Sequence, residues 1–127
     1  VLGDPRRTES LLFVDDEKDI VKMSTSMLEY LGYTVFSAFS GEEALDKLET
    51  DAGKIDLIIC DYSMPGMSGT DLAAEVLKLK RKIPLVLCSG FSESVVLDDK
   101  SKKIIRKFMS KPLDMKKLAV AIREILS

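Results

Sequence analysis

The chain is 127 residues long, and its 46% hydrophobic and 31% charged residues are typical of one ordered globular domain. Its 19 basic and 21 acidic residues leave a formal net charge of −2, so no overall field favours nucleic acid or an anionic membrane surface. Because the chain contains no histidine, an imidazole base, a histidine nucleophile and a histidine metal ligand are all excluded.

Five short apolar runs are predicted to form β-strands, because runs of this kind suit strands buried on both faces of a parallel sheet. In chain order they cover residues 11–14, 34–38, 55–61, 85–88 and 105–110. The second run is more polar than the others and is expected at an edge of the sheet. Cys60 and Cys88 each precede a polar residue, so the alternation of strand side chains predicts that both are inert thiols buried in the core.

Helices are predicted between and after the strands, because apolar residues recur there at helical spacing. The first helix ends before Gly32, and the second begins with a capping-box pattern at Ser40 and Glu43. Five helices are expected in all, near residues 20–31, 41–50, 70–80, 93–99 and 114–126.

This alternation of strands and helices predicts an α/β fold with helices on both faces of a parallel sheet. With right-handed crossovers, we expect a flavodoxin-like, doubly wound five-stranded sheet in the order 2-1-3-4-5. Residues 10–127 are expected to form this single domain. Residues 1–9 are polar and are predicted to be a linker or a disordered N-terminal tail.

Polar residues follow the apolar strands at their carboxyl ends. Asp15 and Asp16 follow the first strand, Asp61 ends the third, and Ser89 and Lys111 end the fourth and fifth. In the expected strand order the first and third strands are neighbours about 5 Å apart, so the three carboxylates converge. Such a cluster repels itself unless a cation is bound, and Mg²⁺ prefers oxygen ligands of this kind.

The added hydroxyl and ammonium group complete a pattern that suits a phosphoryl group. A metal ion and Lys111 would neutralise the charge on the oxygens of the phosphoryl group during its transfer. An aspartate could then attack phosphorus and become an aspartyl phosphate. The simpler interpretation is that Asp15 and Asp16 cap the first helix and that Ser89 and Lys111 are ordinary surface residues. The occurrence of all of them at one sheet edge favours the metal site.

Four motifs resemble the receiver domain of two-component response regulators, and together they span about residues 10–126. These motifs are Val14-Asp15-Asp16-Glu17, residues 61–69, Leu87-Cys88-Ser89-Gly90 and Phe108-Met109-Ser110-Lys111-Pro112. The runs 8–17 and 89–93 also resemble receivers at the end of hybrid histidine kinases.

The resemblance implies a role for each site residue near the metal. Asp61 would be the phosphoacceptor and also a magnesium ligand. Asp16 would bind Mg²⁺ directly, Asp15 mainly through water, and the Ser63 backbone carbonyl would complete the protein's share of the ligands.

The resemblance also implies which residues bind the phosphoryl group and which residue changes conformation in response. Ser89 would hydrogen-bond the phosphoryl group, and Lys111, followed by a cis peptide bond to Pro112, would pair with it. Phe108 would be the switch aromatic that responds to Ser89. Two departures from the family pattern stand out: Phe108 lacks the hydroxyl of the tyrosine often found there, and Ile104 occupies a position where a glycine is common.

The predicted function is therefore that of a phosphoacceptor domain in a two-component phosphorelay, located in the cytoplasm. Its expected partner is a histidine kinase or a histidine phosphotransfer domain, with no nucleic acid or membrane bound by this domain and a weak homodimer left open. The domain would promote its own phosphorylation and dephosphorylation rather than act as an ordinary enzyme. A position within a hybrid histidine kinase is favoured over a stand-alone regulator.

Two other classes remain as alternatives. A flavin- or nucleotide-binding module of similar topology would be expected to carry a glycine-rich phosphate loop after the first strand, where this chain has acidic residues. A pseudo-receiver that only mediates protein contacts should lack one of the five site residues, and this chain has all five: Asp15, Asp16, Asp61, Ser89 and Lys111.

Overall fold

One parallel sheet organises the residues that the computed structural model describes, which are 9–51, 54–79, 83–90, 99 and 101–127. The strands are β1 (Ser10–Val14), β2 (Thr34–Ala38), β3 (Leu57–Asp61), β4 (Leu85–Ser89) and β5 (Ile105–Ser110). The α-helices in the described residues are α1 (Lys18–Tyr30), α2 (Gly41–Asp51), α3 (Gly69–Leu77) and α4 (Met115–Leu126), and a short 3₁₀ turn covers Ser101–Lys103.

The strand order is β2-β1-β3-β4-β5, with every neighbouring pair parallel, so the predicted topology is confirmed. Four of the five predicted helices are present in the described residues. The remaining predicted helix, near residues 93–99, lies outside the described residues apart from Asp99. None of the described helices is long and apolar enough to cross a bilayer.

Two apolar layers cover the two faces of the sheet. Strand alternation sends Ile58 and Cys60 of β3 into the layer that contains α2 and α3, and Leu57 and Ile59 into the layer that contains α1 and α4. All four side chains are fully buried. The layers therefore fix both the face and the register of β3, because a slip of one residue would exchange the two sets.

The two cysteines lie in opposite layers, Cys60 with α2 and α3, and Cys88 with α1 and α4. Both are free and buried. Burial raises the pKa of the Cys60 thiol well above its ordinary value and raises the pKa of Cys88 to about 12. The prediction of inert, buried thiols is confirmed, since neither forms a thiolate near neutral pH.

Local signals account for the helix ends. Gly32 has φ 105°, a left-handed conformation that glycine adopts freely just after α1. The Ser40 hydroxyl accepts a hydrogen bond from the Glu43 amide at 3.1 Å before α2, as the predicted cap requires. Sequence reasoning missed the cap of α3, where Ser68 and Asp71 form a reciprocal capping box. The Ser-x-x-Asp spacing was the signal that could have shown it.

The structure shows the outcome at one predicted strand boundary and at one departure from the family pattern. The third strand begins at Leu57 rather than residue 55. Asp56, directly before it, binds the Ser10 backbone through both its amide and its carboxylate, each at 2.8 Å. Ile104, where the family pattern often has glycine, is buried in the layer that contains α2 and α3. Its carbonyl accepts from the Leu85 amide at 2.8 Å, so this position anchors the start of β4.

Candidate functional site

Three carboxylates meet where β1 and β3 end. The pairing of Val14 with Cys60 sets the two strands level, so Asp15 and Asp61 emerge side by side at the sheet edge. Oxygen atoms of Asp15, Asp16 and Asp61 all lie within 4.8 Å of one another. Asp15 and Asp61 are buried, with Asp61 only 5% exposed, whereas Asp16 faces solvent. The predicted convergence of the three acids is confirmed.

Lys111 reaches this cluster from the far side of β4. Its Nζ lies 3.1 Å from Asp15 Oδ2, 3.4 Å from Asp61 Oδ2 and 3.8 Å from Glu17 Oε1. The Lys111 amide donates to the Ser89 carbonyl at 2.8 Å, which ties the end of β5 to the end of β4. The expected cis peptide bond between Lys111 and Pro112 is present.

The electrostatics of the pocket follow from burial and like charge. Burial and the neighbouring Asp15 carboxylate raise the pKa of Asp61 to about 6, although the Lys111 ammonium and the Ser63 amide act in the opposite direction. Burial alone would lower the pKa of Lys111, but its hydrogen bond to Asp15 and the charges of Asp15 and Asp61 outweigh that effect and raise it. The pocket therefore carries excess negative charge that one ammonium group does not balance.

The oxygen atoms of the cluster differ in what they already bind. Asp15 Oδ1 accepts from the Glu17 amide at 3.0 Å, and Asp15 Oδ2 accepts from Lys111. Asp61 Oδ1 is buried and has no hydrogen-bond partner among the described residues. A buried carboxylate oxygen without a partner is costly unless a cation fills the gap. An all-oxygen donor set of this kind fits a hard divalent ion such as Mg²⁺.

The turn after β3 brings α3 against the backbone of Asp61. The Tyr62 amide donates to the Cys88 carbonyl at 2.7 Å, and the Gly69 amide donates to the Tyr62 carbonyl at 2.9 Å. A Cβ atom at Gly69 would lie 2.5 Å from Leu87 Cδ1 and 2.6 Å from the Asp61 carbonyl oxygen. Only glycine permits this approach, so Gly69 sets how closely α3 approaches the end of β3.

Ser89 and Phe108 lie on the β4 and β5 side of the site. Ser89 ends β4 one residue after Cys88, which pairs with Asp61, and it is partly buried. Phe108 pairs with Leu87, two residues before Ser89, and its side chain is 48% exposed. The ring therefore points outward in this structure rather than toward the carboxylates.

Sequence reasoning missed Glu17 as part of the site, although it quoted the residue within a motif. Glu17 is at the N-cap position of α1, and its carboxylate competes with Asp15 and Asp61 for the Lys111 ammonium. The position directly after two aspartates was a signal for a third acid at this edge. Its exposed side chain makes that contact weaker than the buried pairs.

Comparison with known proteins identifies a family model that matches residues 11–123, and its description is the response regulator receiver domain. Among curated relatives, the chain is 32% identical over 117 residues to the sensor kinase CckA of Brucella abortus, covering 92% of this chain and 12% of that protein. It is 30% identical over 125 residues to the response regulator SaeR of Staphylococcus aureus, and the match covers 92% of this chain and 50% of SaeR. The chain thus spans half or less of these relatives.

Solved structures agree with this match. The receiver domain of the hybrid histidine kinase CckA is 33% identical with a TM-score of 0.76, covering 93% of this chain and 99% of that one. The response regulator TrrA of Thermotoga maritima, solved in complex with Mg²⁺ and beryllofluoride, is 31% identical with a TM-score of 0.77. The match covers 92% of this chain and 98% of the TrrA chain. Both superpose on the five-stranded fold described above.

Proposed function

Because the chain belongs to the family of response regulator receiver domains, the phosphoacceptor domains of two-component signalling, we propose that its phosphoacceptor is Asp61. The observation that carries this proposal is the position of that side chain. Asp61 is buried at the centre of the acidic cluster, with one oxygen 3.4 Å from the Lys111 ammonium and the other without a partner among the described residues. Asp15, by contrast, has both oxygens engaged.

The metal site that we propose uses Asp61, Asp16 and the Ser63 carbonyl as direct ligands of Mg²⁺, with Asp15 acting through water. When bound, the ion offsets repulsion between the carboxylate and an anionic donor. The split between Asp16 and Asp15 is supported by their surroundings, because Asp16 is exposed while Asp15 is held by Lys111 and the Glu17 amide. The TrrA structure, with Mg²⁺ and beryllofluoride together, supports a metal and a phosphoryl mimic in such a pocket.

The reaction that we propose is the transfer of one phosphoryl group. An oxygen of the Asp61 carboxylate attacks phosphorus of a phosphohistidine, the P–N bond breaks, and its electron pair stays on the imidazole nitrogen. Lys111 exchanges part of its contact with Asp15 and Asp61 for the phosphoryl oxygens, and Ser89 donates its hydroxyl to them. The product is an aspartyl phosphate and a free histidine on the donor.

The donor lies outside this stretch of chain, since the sequence contains no histidine. We propose a histidine kinase or a histidine phosphotransfer domain as that donor. The similarity to CckA, a sensor kinase of which this chain covers 12%, supports a receiver within a hybrid kinase over a stand-alone regulator.

Phosphorylation would then act as a population shift. A phosphoryl group on Asp61 attracts the Ser89 hydroxyl, and a hydrogen bond to a charged acceptor stabilises by about 1.5–3 kcal/mol. The inward movement of Ser89 opens space beside β4 into which the exposed Phe108 ring can pack. Phe108 lacks a hydroxyl, so packing alone must bias its rotamer.

Incubation with acetyl phosphate and Mg²⁺ tests the acceptor. We expect a product 80 Da heavier by intact mass, at about one phosphoryl group per chain, that is lost on treatment with hydroxylamine. Asp61→Asn should abolish it, whereas Asp46→Asn, which removes an exposed carboxylate on α2, should leave the yield unchanged. A normal yield from Asp61→Asn would show that another residue is the acceptor.

A further inference from the structure

Basic residues are concentrated in two runs of the sequence that contain none of the phosphoacceptor-site residues. Residues 78–82 and 100–107 hold nine of the 19 basic residues and no acidic residue, which leaves ten basic against 21 acidic residues in the rest of the chain. The net charge of −2 is therefore the sum of an acidic majority and a strongly basic minority of the sequence. An uneven charge distribution of this kind steers charged partners toward one part of a molecule.

Two of these cations line a small cleft where the beginnings of β4 and β5 meet. The cleft has a volume of about 80 Å³ and is lined by Ile83, Pro84, Lys103, Ile104 and Arg106. Lys103 and Arg106 are both exposed, and neither forms an ion pair with any residue that the structure describes. The cleft therefore carries positive charge that the described part of the protein leaves unbalanced.

A β-bulge at the start of β5 makes Arg106 available to this cleft. Two consecutive residues of β4 pair with Ile105 and Lys107, so Arg106 has no residue opposite it in that strand. Ile105 lies in the layer with α2 and α3, whereas Met109 lies in the layer with α1 and α4, so the bulge reverses the alternation of the strand. Bulges redirect side chains in this way, and here Arg106 lies in the cleft with Lys103.

Protection of an edge strand does not by itself account for this arrangement. β5 is at the edge of the sheet, and an exposed charge such as Lys107 already discourages pairing with another strand. Two cations that line one cleft repel each other, and an anion bound between them removes that repulsion. Lys102, in the neighbouring 3₁₀ turn, is also exposed and forms only a long contact of 3.9 Å with Asp99. These charges favour an anionic ligand over an empty, solvated cleft.

We propose that this cleft binds carboxylate side chains of an acidic segment in a partner protein. The Arg106 guanidinium can hold one carboxylate through two parallel hydrogen bonds, and the Lys103 ammonium adds a further donor. The cleft suits a single carboxylate in size. None of its described lining residues is aromatic, so it lacks the stacking surface that proteins offer to single-stranded nucleic acids.

The position of the cleft keeps such a partner away from the phosphoacceptor. All five strands are parallel, so the beginnings of β4 and β5 lie at the edge of the sheet opposite the one where β3 ends at Asp61. An acidic partner bound at Lys103 and Arg106 therefore leaves the acidic cluster open to a phosphoryl donor. The same separation means that the proposed binding does not depend on the identity of the phosphoacceptor.

Fluorescence anisotropy with a labelled hexaglutamate peptide at about 50 mM NaCl tests the site, with hexaglutamine and single-stranded DNA as comparison probes. We expect hexaglutamate to bind with a dissociation constant on the order of 0.1–1 mM and hexaglutamine not to bind. Lys103→Gln and Arg106→Gln should each weaken binding about threefold to fivefold. Lys22→Gln removes an exposed cation from α1, on the opposite face of the sheet, and as the matched control should change the affinity less than about 1.5-fold.

Arg106→Lys distinguishes a defined cleft from a diffuse basic field, because it keeps the charge but loses the two parallel hydrogen bonds. We expect it to weaken hexaglutamate binding about twofold. Unchanged binding in Arg106→Lys, equal losses in Lys22→Gln and Arg106→Gln, or no binding by the parent protein would overturn the proposal. Tighter binding of the DNA, lost in Lys103→Gln and Arg106→Gln, would overturn it in favour of nucleic acid.

NMR titration of the parent protein with hexaglutamate locates the contact. Amide signals of residues 103–106 should shift, whereas those around Asp61 should not. Shifts confined to another surface would contradict the assignment. Acetyl phosphate should phosphorylate the Lys103→Gln and Arg106→Gln variants to the same yield as the parent protein, which checks that they fold and keeps this test separate from that of the phosphoacceptor.

Discussion

Asp61 is held in a pocket that disfavours its ionised form. Its pKa of about 6 lies above the ordinary value of 3.8, because burial and Asp15 act against the charged carboxylate. The folded protein therefore binds this proton more tightly than the unfolded chain does, and stability falls as pH rises from about 4 to above 6. In metal-free protein at neutral pH, the ionised carboxylate costs on the order of 1–3 kcal/mol.

Asp61→Asn should therefore stabilise the metal-free protein. At pH 7.5 in EDTA we expect the free energy of unfolding in urea to rise by about 1 kcal/mol, since the amide removes the charge but also loses attraction to Lys111. The gain should shrink or reverse at pH 4.5, where the carboxyl of the folded parent protein is protonated. Equal effects at the two pH values would contradict the raised pKa.

The proposed metal site has Asp16 as a direct ligand and Asp15 as a ligand through water, so loss of Asp16 should weaken Mg²⁺ binding. Asp16→Ala should weaken Mg²⁺ binding at least about tenfold by calorimetric titration, because a direct ligand is lost. Asp19→Ala removes an exposed carboxylate from the first turn of α1 and serves as the control, with affinity expected to remain within about twofold. Undiminished binding in Asp16→Ala would remove that residue from the proposed ligand set.

At the scale of secondary structure, α3 begins within contact distance of the Asp61 backbone. In Gly69→Ala the added methyl group would meet the Leu87 side chain and the Asp61 carbonyl oxygen, so Leu87 must shift and either the helix or the end of β3 must move. We expect a loss of about 1–3 kcal/mol in urea unfolding and slower phosphorylation. Glu75→Ala on the same helix removes only an exposed ion pair with Lys78 and should cost less than about 0.5 kcal/mol.

Strand β5 carries the other element-scale prediction. Addition of Mg²⁺ and beryllofluoride should change the side-chain NMR signals of Phe108, because its 48% exposed ring would pack inward. Burial of about half a phenylalanine side chain contributes roughly 0.8–1.5 kcal/mol, slightly less than the new Ser89 hydrogen bond. Signals that change only around Asp61, with Phe108 unmoved, would argue against this switch.

At the scale of the whole molecule, the sheet was predictable because each signal was local. Apolar runs identified the strands, and their alternation with helices left one common strand order, which in turn brought Asp15, Asp16 and Asp61 together. The contacts of Lys111 with Asp15, 96 positions earlier in the chain, followed only once that order was assumed.

Other features depend on contacts that no local pattern encodes. The close approach of Gly69 to Leu87 is set by packing between α3 and β4, and the contact of the Asp56 carboxylate with the Ser10 amide joins residues 46 positions apart. The 48% exposure of the Phe108 ring likewise depends on how the neighbouring side chains pack. Local sequence patterns predict helices, strands and candidate site residues, whereas these features depend on distances between residues that are far apart in the chain.

Chemical location of the phosphoryl group tests the central claim most directly. Borohydride reduction converts an aspartyl phosphate to homoserine, so the protein is phosphorylated with acetyl phosphate, reduced and mapped by tandem mass spectrometry. We predict homoserine at position 61 in the presence of Mg²⁺ and none when EDTA replaces the metal. Homoserine at Asp15 or Asp16, or labelling of residue 61 that persists in EDTA, would contradict the assignment of Asp61 as the metal-dependent acceptor.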